Sequence, residues 1–233
     1  VGNSGTTARF LSAFLGLGQG TFVVDGNERM RERPIQDLVD GLRPIGVRAQ
    51  CEGKDNVCPP VMILGSGIKG GRTVMAGDKS SQYFTALLLV AAYAQEDVEI
   101  VVEGDLVSKP YIDLTAGVMR DFGVEIVNED YKVLRVKAGQ RYQARDYIIE
   151  PDASNASYFF AAAAVTGGRV KVLNLDKKSI QGDIGFVDVL AKMGCDVKIH
   201  ADGIEVCGPE QLNGVDVDMN SISDVVQTLC AIA

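Results

Sequence analysis

Residues 78–104 read DKSSQYFTALLLVAAYAQEDVEIVVEG, and the order of residue types in this stretch decides the fold. A small polar head, Asp78 to Gln82, precedes an apolar run of helical length. The run gives way to Val98–Val102, rich in the β-branched residues that suit a pleated surface. The same grammar occurs at 2–26, GNSGTTARFLSAFLGLGQGTFVVDG, with a strand at Thr21–Val24, and at 152–175, DASNASYFFAAAAVTGGRVKVLNL, with a strand at Val170–Leu173.

Each copy continues alike. RERPIQDLVDGLRPIGVRAQ (31–50), SKPYIDLTAGVMRDFGVEIV (108–127) and QGDIGFVDVLAKMGCDVKIH (181–200) are amphipathic helices closed by Gly46, Gly123 and Gly194, where a helix C′ glycine belongs. Short strands follow at Val124–Val127 and Leu134–Val136, and at Val197–Ile199 and Ile204–Val206. The unit is helix, strand, helix, strand, strand, and corresponding points are spaced by roughly 70 to 77 residues, long enough for a whole supersecondary unit. A fourth copy starts at MNSISDVVQTLCAIA (219–233). Alternation of helices and strands within a repeat predicts an α/β architecture. Pro151 and Asp152, opening the third unit, place a division into two domains, 1–149 and 150–233.

Composition narrows the function. The 233 residues are 46% hydrophobic and 23% charged, enough for a real core, and carry a formal net charge of -8. With a pI near 4.8 the chain lacks the positive field of a general nucleic-acid binder, so an anionic ligand must meet a local device. Cys51, Cys58, Cys195, Cys207 and Cys230 form no CxxC pair and, with the single His200, no zinc spacing. They read as reduced thiols of a cytoplasmic protein. The apolar run Ala86–Ala94 is too short to span a bilayer. The chain opens at Val1 inside the first motif and stops at Ala233 inside an apolar run, and so reads as an internal piece of a longer protein.

The local device is the set of polar helix heads: Asn3-Ser4-Gly5-Thr6-Thr7, Ser80-Ser81-Gln82, Ser154-Asn155-Ala156-Ser157 and Asn220-Ser221-Ile222-Ser223-Asp224. A helix N-terminus offers free N–H groups and partial positive charge to phosphate or carboxylate. Taken singly, each head reads more readily as an ordinary N-cap, since Ser, Thr, Asn and Asp are favoured there. Repetition in register favours a shared anion site. Arg29, Arg31 and Arg33 before Pro34, and Lys109 before Pro110, add cations where a strand turns into the second helix.

Together GNSGTTAR, RMRERPI, SSQYFTALL, LVSKPYID, DASNASYFFAAAA, QGD and DMNSISD make the chain resemble the 5-enolpyruvylshikimate-3-phosphate synthase family of enolpyruvyl transferases over essentially its whole length. The resemblance implies βαβαββ units in a two-domain inside-out α/β barrel, incomplete here at both ends. It implies transfer of the enolpyruvyl group of phosphoenolpyruvate to the 5-hydroxyl of shikimate 3-phosphate, with no metal or organic cofactor, no nucleic-acid or membrane partner, and a monomer when complete. Ser80, Ser81, Gln82, Ser108 and Tyr111 match the family's contacts to shikimate 3-phosphate. Asn3, Gly5, Thr6, Arg33 and Gln82 match the phosphoenolpyruvate side, and Asp224 matches the catalytic proton acceptor, also beside shikimate 3-phosphate. The family's basic N-terminal cluster would lie upstream of Val1 and its catalytic glutamate downstream of Ala233, so this stretch by itself is expected to be inactive. Two other readings remain open at this point: the UDP-N-acetylglucosamine enolpyruvyl transferases, which use a reactive loop cysteine to which Cys58 comes nearest, and a substrate-binding module without turnover.

Overall fold

The computed structural model describes residues 1–233, which divide into two compact units, Val1–Arg145 and Asp146–Ala233. In the first unit, helix α1 (Gly5–Phe14) leads into strand β1 (Gln19–Val24), then α2 (Gln36–Leu42), β2 (Arg48–Cys51) and β3 (Val61–Ser66). Strand β4 (Gly71–Ala76) opens the next repeat, followed by α3 (Ser81–Ala91), β5 (Val98–Glu103), α4 (Lys109–Asp121), β6 (Ile126–Glu129) and β7 (Val133–Val136). The second unit holds α5 (Ala153–Thr166), β8 (Arg169–Leu173), α6 (Phe186–Lys192), β9 (Asp196–His200), β10 (Gly203–Cys207) and a short α7 (Val226–Cys230).

The repeat is thus present three times, and the fold is α/β. Two sheets have three antiparallel strands, in the orders β1-β3-β2 and β8-β10-β9, and the third runs β4-β5-β7-β6. In that third sheet β4 lies parallel to β5, from Gly71 opposite Val98 to Ala76 opposite Glu103, while β5-β7 and β6-β7 are antiparallel. Parallel neighbours need a crossover, which α3 supplies. The sequence grammar had no place for β4; with it, residues 71–136 form a complete βαβαββ unit. In the third repeat the corresponding segment, residues 141–152, has neither helix nor strand.

The closing glycines act alike in all three copies. Gly46, Gly123 and Gly194 have φ of +95°, +88° and +99°, and the next residue donates its N–H five residues back: Val47 to Leu42 O at 3.2 Å, Val124 to Met119 O at 2.9 Å, Cys195 to Leu190 O at 3.0 Å. This six-to-one bond satisfies a carbonyl the helix end would otherwise strand. The chain then returns as a strand over its own helix. On β5, Val98, Ile100 and Val102 face the core while Glu99, Val101 and Glu103 are less buried, the period-two alternation of a half-buried sheet. Helix α3 is apolar around most of its circumference, with Phe84, Ala86, Leu87 and Leu88 wholly buried, as a helix enclosed on several sides must be. Each unit has its own core: Leu38, Leu42, Ile63, Leu87 and Ile100 belong to the first, Phe160, Phe186, Leu190 and Ile204 to the second.

Candidate active site

In the first unit the α1 head is built against the turn that carries Arg33. Ser4 is the N-cap, its hydroxyl accepting from Thr7 N at 3.3 Å. The preceding loop is tied down by bonds from Asn27 N to Gly2 O at 3.0 Å and from the Val1 amino group to Asp25 O at 2.8 Å. Arg33 sits before Pro34 with extended backbone, φ -91° and ψ 117°, as a pre-proline residue should. Its side chain runs back to the helix head, where Nη1 donates to Asn3 O at 3.4 Å. The guanidinium lies against Gly5 so closely that an added Cβ would stand 2.6 Å from Nη2. Only glycine permits that approach.

The neighbouring arginines are engaged elsewhere. Arg29 pairs with Glu32 at 2.9 Å. Arg31 grips Asp25 with both edges of its fork, Nε to Oδ1 at 2.9 Å and Nη2 to Oδ2 at 2.5 Å, and this bond holds the Asp25 carboxyl below its ordinary pKa. Arg33 has no carboxylate within ion-pair distance, which leaves it as the arginine of the three available to an anion.

The α3 head stands beside this cluster. Ser80 is its N-cap, accepting from Gln82 N at 3.4 Å, and Ser81 is buried. Arg9, one turn along α1 from Gly5, donates from Nη1 to Gln82 Oε1 at 2.5 Å and to Ser80 Oγ at 3.5 Å. Its guanidinium carbon also lies 5.0 Å from the centre of the Tyr83 ring. The Tyr83 hydroxyl donates to Pro34 O at 2.9 Å, and burial raises the pKa of this phenol, against the opposing charge of Arg9. Asn3, Gly5, Arg33, Ser80 and Gln82 are therefore drawn into one cluster; Thr6 is exposed in the first turn of α1. Sequence reasoning missed Arg9, although it lies inside the quoted GNSGTTAR and its i, i+4 relation to Gly5 puts the two on one helix face.

Ser108 and Tyr111 belong to the start of α4. Ser108 has φ +56° and ψ 42°, a left-handed conformation that costs a non-glycine residue and recurs at functional sites. The loop before it packs on the loop before α3. Val107 N donates to Gly77 O at 3.0 Å, and a Cβ on Gly77 would stand 2.6 Å from Asp105 O. Helices α3 and α4 are also joined by the Thr85 and Thr115 hydroxyls at 2.8 Å, and Thr115 bonds Tyr111 O at 2.7 Å. The two helix starts thus sit side by side, with Lys109 Nζ 5.3 Å from the Tyr131 ring centre.

The second unit departs from the pattern of four equal heads. The cap of α5 is Asp152, accepting from Asn155 N at 3.0 Å, and the polar side chains after it are spent on protein partners. Ser154 donates to Asp183, Asn155 Nδ2 bonds Asp152 at 2.8 Å, and Ser157 bonds Ser154 O at 2.6 Å with Thr228 Oγ1 at 3.0 Å. This head holds its own unit together. Asn220–Val225 is a 3₁₀ turn kinked at Ile222, and the residue capping α7 is Val225. Asp224 is therefore not a helix N-cap, because its carboxylate lies inside the turn, exposed and without a hydrogen-bond or ion-pair partner. Its backbone carbonyl accepts from Gln227 Nε2.

No three His, Cys, Asp or Glu side chains gather as a metal set, and all five cysteines are unbonded. Cys58 is buried, and burial raises its thiol pKa, the opposite of the activation a nucleophilic cysteine needs. A hollow of about 530 Å³ on the outer face of the first sheet, lined by Thr21, Arg48, Met62 and Leu64 among others, includes none of the clustered residues. It is an open depression on a sheet, and the convergence of polar groups marks the helix heads instead. No helix is long and apolar enough to cross a membrane.

A sequence model described as EPSP synthase (3-phosphoshikimate 1-carboxyvinyltransferase) matches residues 1–233. The chain is 54% identical over 233 residues to a 3-phosphoshikimate 1-carboxyvinyltransferase of Nostoc sp., covering 100% of this chain and 55% of that protein. It is 49% identical over 234 residues to the protein of that name from Shewanella halifaxensis, covering 54% of it. Among solved structures, EPSP synthase from Acinetobacter baumannii shares the fold with a TM-score of 0.77 at 23% identity, over 99% of this chain and 52% of that one. The chain spans about half the length of the curated relatives it matches. With the repeat, the motifs and these matches in agreement, the chain belongs to the EPSP synthase (3-phosphoshikimate 1-carboxyvinyltransferase) family.

Proposed function

We propose that the full-length protein carries out the reaction for which its relatives are named: the enolpyruvyl group of phosphoenolpyruvate is transferred to the 5-hydroxyl of shikimate 3-phosphate, in the cytoplasm, by a monomer. Addition of the hydroxyl O–H across the enol double bond makes a tetrahedral intermediate with a methyl carbon. Loss of phosphate with one methyl proton restores the carbon–carbon double bond and leaves the enolpyruvyl group as a vinyl ether on the 5-oxygen. The residues of this chain bind, orient and move a proton. Arg33, with Asn3, Gly5 and Thr6 at the α1 head, takes the phosphoenolpyruvate anion. Ser80, Ser81, Gln82, Ser108 and Tyr111, at the starts of α3 and α4, take shikimate 3-phosphate, and Gln82 also reaches phosphoenolpyruvate. Asp224 accepts the hydroxyl proton as the carbon–oxygen bond forms, a role that an exposed carboxylate with no partner of its own leaves open.

The observation that carries this reading is the guanidinium of Arg33, without a carboxylate partner and pressed on Gly5 beside the α1 head. In the full-length enzyme, Arg33→Ala removes a charge-assisted grip worth about 1.5 to 3 kcal/mol. The KM for phosphoenolpyruvate rises roughly 10- to 150-fold, while that for shikimate 3-phosphate stays near the parent value. Equal losses for both substrates would make Arg33 a folding residue and remove the support.

A further inference from the structure

We infer that Arg9 is a positioning residue which fixes the side-chain amide of Gln82 with its NH₂ group turned to the ligand; the inference rests on Gln82 being a substrate contact. A guanidinium has donors only. At 2.5 Å from Arg9 Nη1, the Gln82 atom must be the carbonyl oxygen. That engagement settles which way the amide faces and leaves the two N–H donors of Gln82 for an acceptor, the phosphate, carboxylate or ether oxygens of an anionic substrate. Without Arg9 the amide could turn over and present its oxygen, a repulsive partner for the same ligand.

Arg9 is itself held in place. It is half-buried, its cation rests on the Tyr83 face at 5.0 Å, and a second bond reaches the α3 cap, Ser80 Oγ, at 3.5 Å. Tyr83 in turn binds Pro34 O at 2.9 Å, next to Arg33. One side chain on α1 thus joins the α3 head, through Tyr83, to the turn that carries Arg33. No carboxylate competes for Arg9, which appears in no ion pair.

A double-mutant cycle in the full-length enzyme tests this. Arg9→Met keeps the stem on Tyr83 and removes the donors; Gln82→Ala removes the amide. Each lowers kcat/KM about tenfold, mainly through KM, and the double mutant is no worse than Gln82→Ala alone, because Arg9 acts through Gln82. Arg9→Lys, which keeps the charge but not the fork, recovers only part of the loss. As a variant certain to keep the Arg9 contact, Gln82→Glu should melt no lower than the parent yet lose the same tenfold, having no N–H to offer. Multiplying losses of about a hundredfold in the double mutant, full recovery by Arg9→Lys, or parental kinetics for Arg9→Met beside a damaged Gln82→Ala would each overturn the inference while leaving the site intact. Parental kinetics for Gln82→Ala would instead remove Gln82 from the site, and the inference with it.

Discussion

Adding one methyl group to Gly5 is the sharpest perturbation the geometry offers. The new Cβ would lie 2.6 Å from Arg33 Nη2, 2.7 Å from Nη1 and 2.8 Å from Cζ, short of ordinary contact by roughly 0.8 Å. All three of the nearest atoms belong to the Arg33 guanidinium, and Gly5 has no left-handed φ to forbid alanine. The yielding partner is the far end of a flexible side chain, so the strain goes into moving the guanidinium and not into the backbone. A shift of that size breaks the 3.4 Å bond to Asn3 O and stretches a charge-assisted contact to the ligand beyond useful range, forfeiting most of about 1.5 to 3 kcal/mol. In the full-length enzyme, Gly5→Ala should raise the KM for phosphoenolpyruvate about 10- to 100-fold, leave that for shikimate 3-phosphate unchanged, and leave the thermal midpoint unchanged or slightly higher, since alanine is the better helix residue. Phosphate release at saturating shikimate 3-phosphate, with phosphoenolpyruvate varied, reads the effect. Placed on Arg33→Ala, the methyl should do little further harm. A parental KM, or an equal loss for both substrates, would refute the link between Gly5 and Arg33.

Arg31→Ala should leave both KM values near the parent, because its fork is spent on Asp25. Freed of that partner, the Asp25 carboxyl should titrate closer to its ordinary value by NMR; the small stability it gives, present above the ordinary carboxylate pKa and lost as pH falls toward the lowered one, should vanish. Ser81→Ala should weaken shikimate 3-phosphate in calorimetry, and unchanged affinity would remove the α3 head from the site. Asp224→Asn should keep fold and ground-state binding yet lose roughly 10²-fold or more in turnover; near-parental phosphate release at saturating substrates would refute its role. Alkylation at neutral pH should spare activity, since Cys58 is buried and burial takes the Cys51 thiol up to about 11.

Much of the fold is legible in the chain because helix ends are written locally. A glycine whose backbone needs positive φ, followed by a residue that closes the six-to-one bond, is a sequence signal with one geometric meaning, and it occurs at Gly46, Gly123 and Gly194. Strand β4 escaped because its partner is distant. Gly71–Ala76 pairs with Val98–Glu103 across a helix, and no local pattern announces a parallel neighbour. The heads read in the sequence as four parts of one anion site, but which of them spend their polar groups within the fold is not legible there. Ser154 and Ser157 are of the same residue type as the serines of the α1 and α3 heads, yet their partners, Asp183 and Thr228, come from remote segments. Arg9 was missed for the converse reason: its partners Gln82 and Ser80 are 73 and 71 residues away.

The same logic reconciles the acidic composition of the chain with the two anionic substrates of the proposed reaction. Net charge sets the field at a distance, where salt screens it within about 10 Å; binding is decided by what lies within a hydrogen bond. Of the three arginines in RMRERP, two are paired with Glu32 and Asp25, so these two carboxylates are spent on their own partners and neither pairs with the third. Arg33 escapes because Pro34 fixes its backbone as extended and Gly5 opens a place for its guanidinium at a helix head, away from those carboxylates. Changing the global charge by adding surface lysines would therefore alter encounter rates and their salt dependence. Moving Arg33 by less than an ångström would alter affinity.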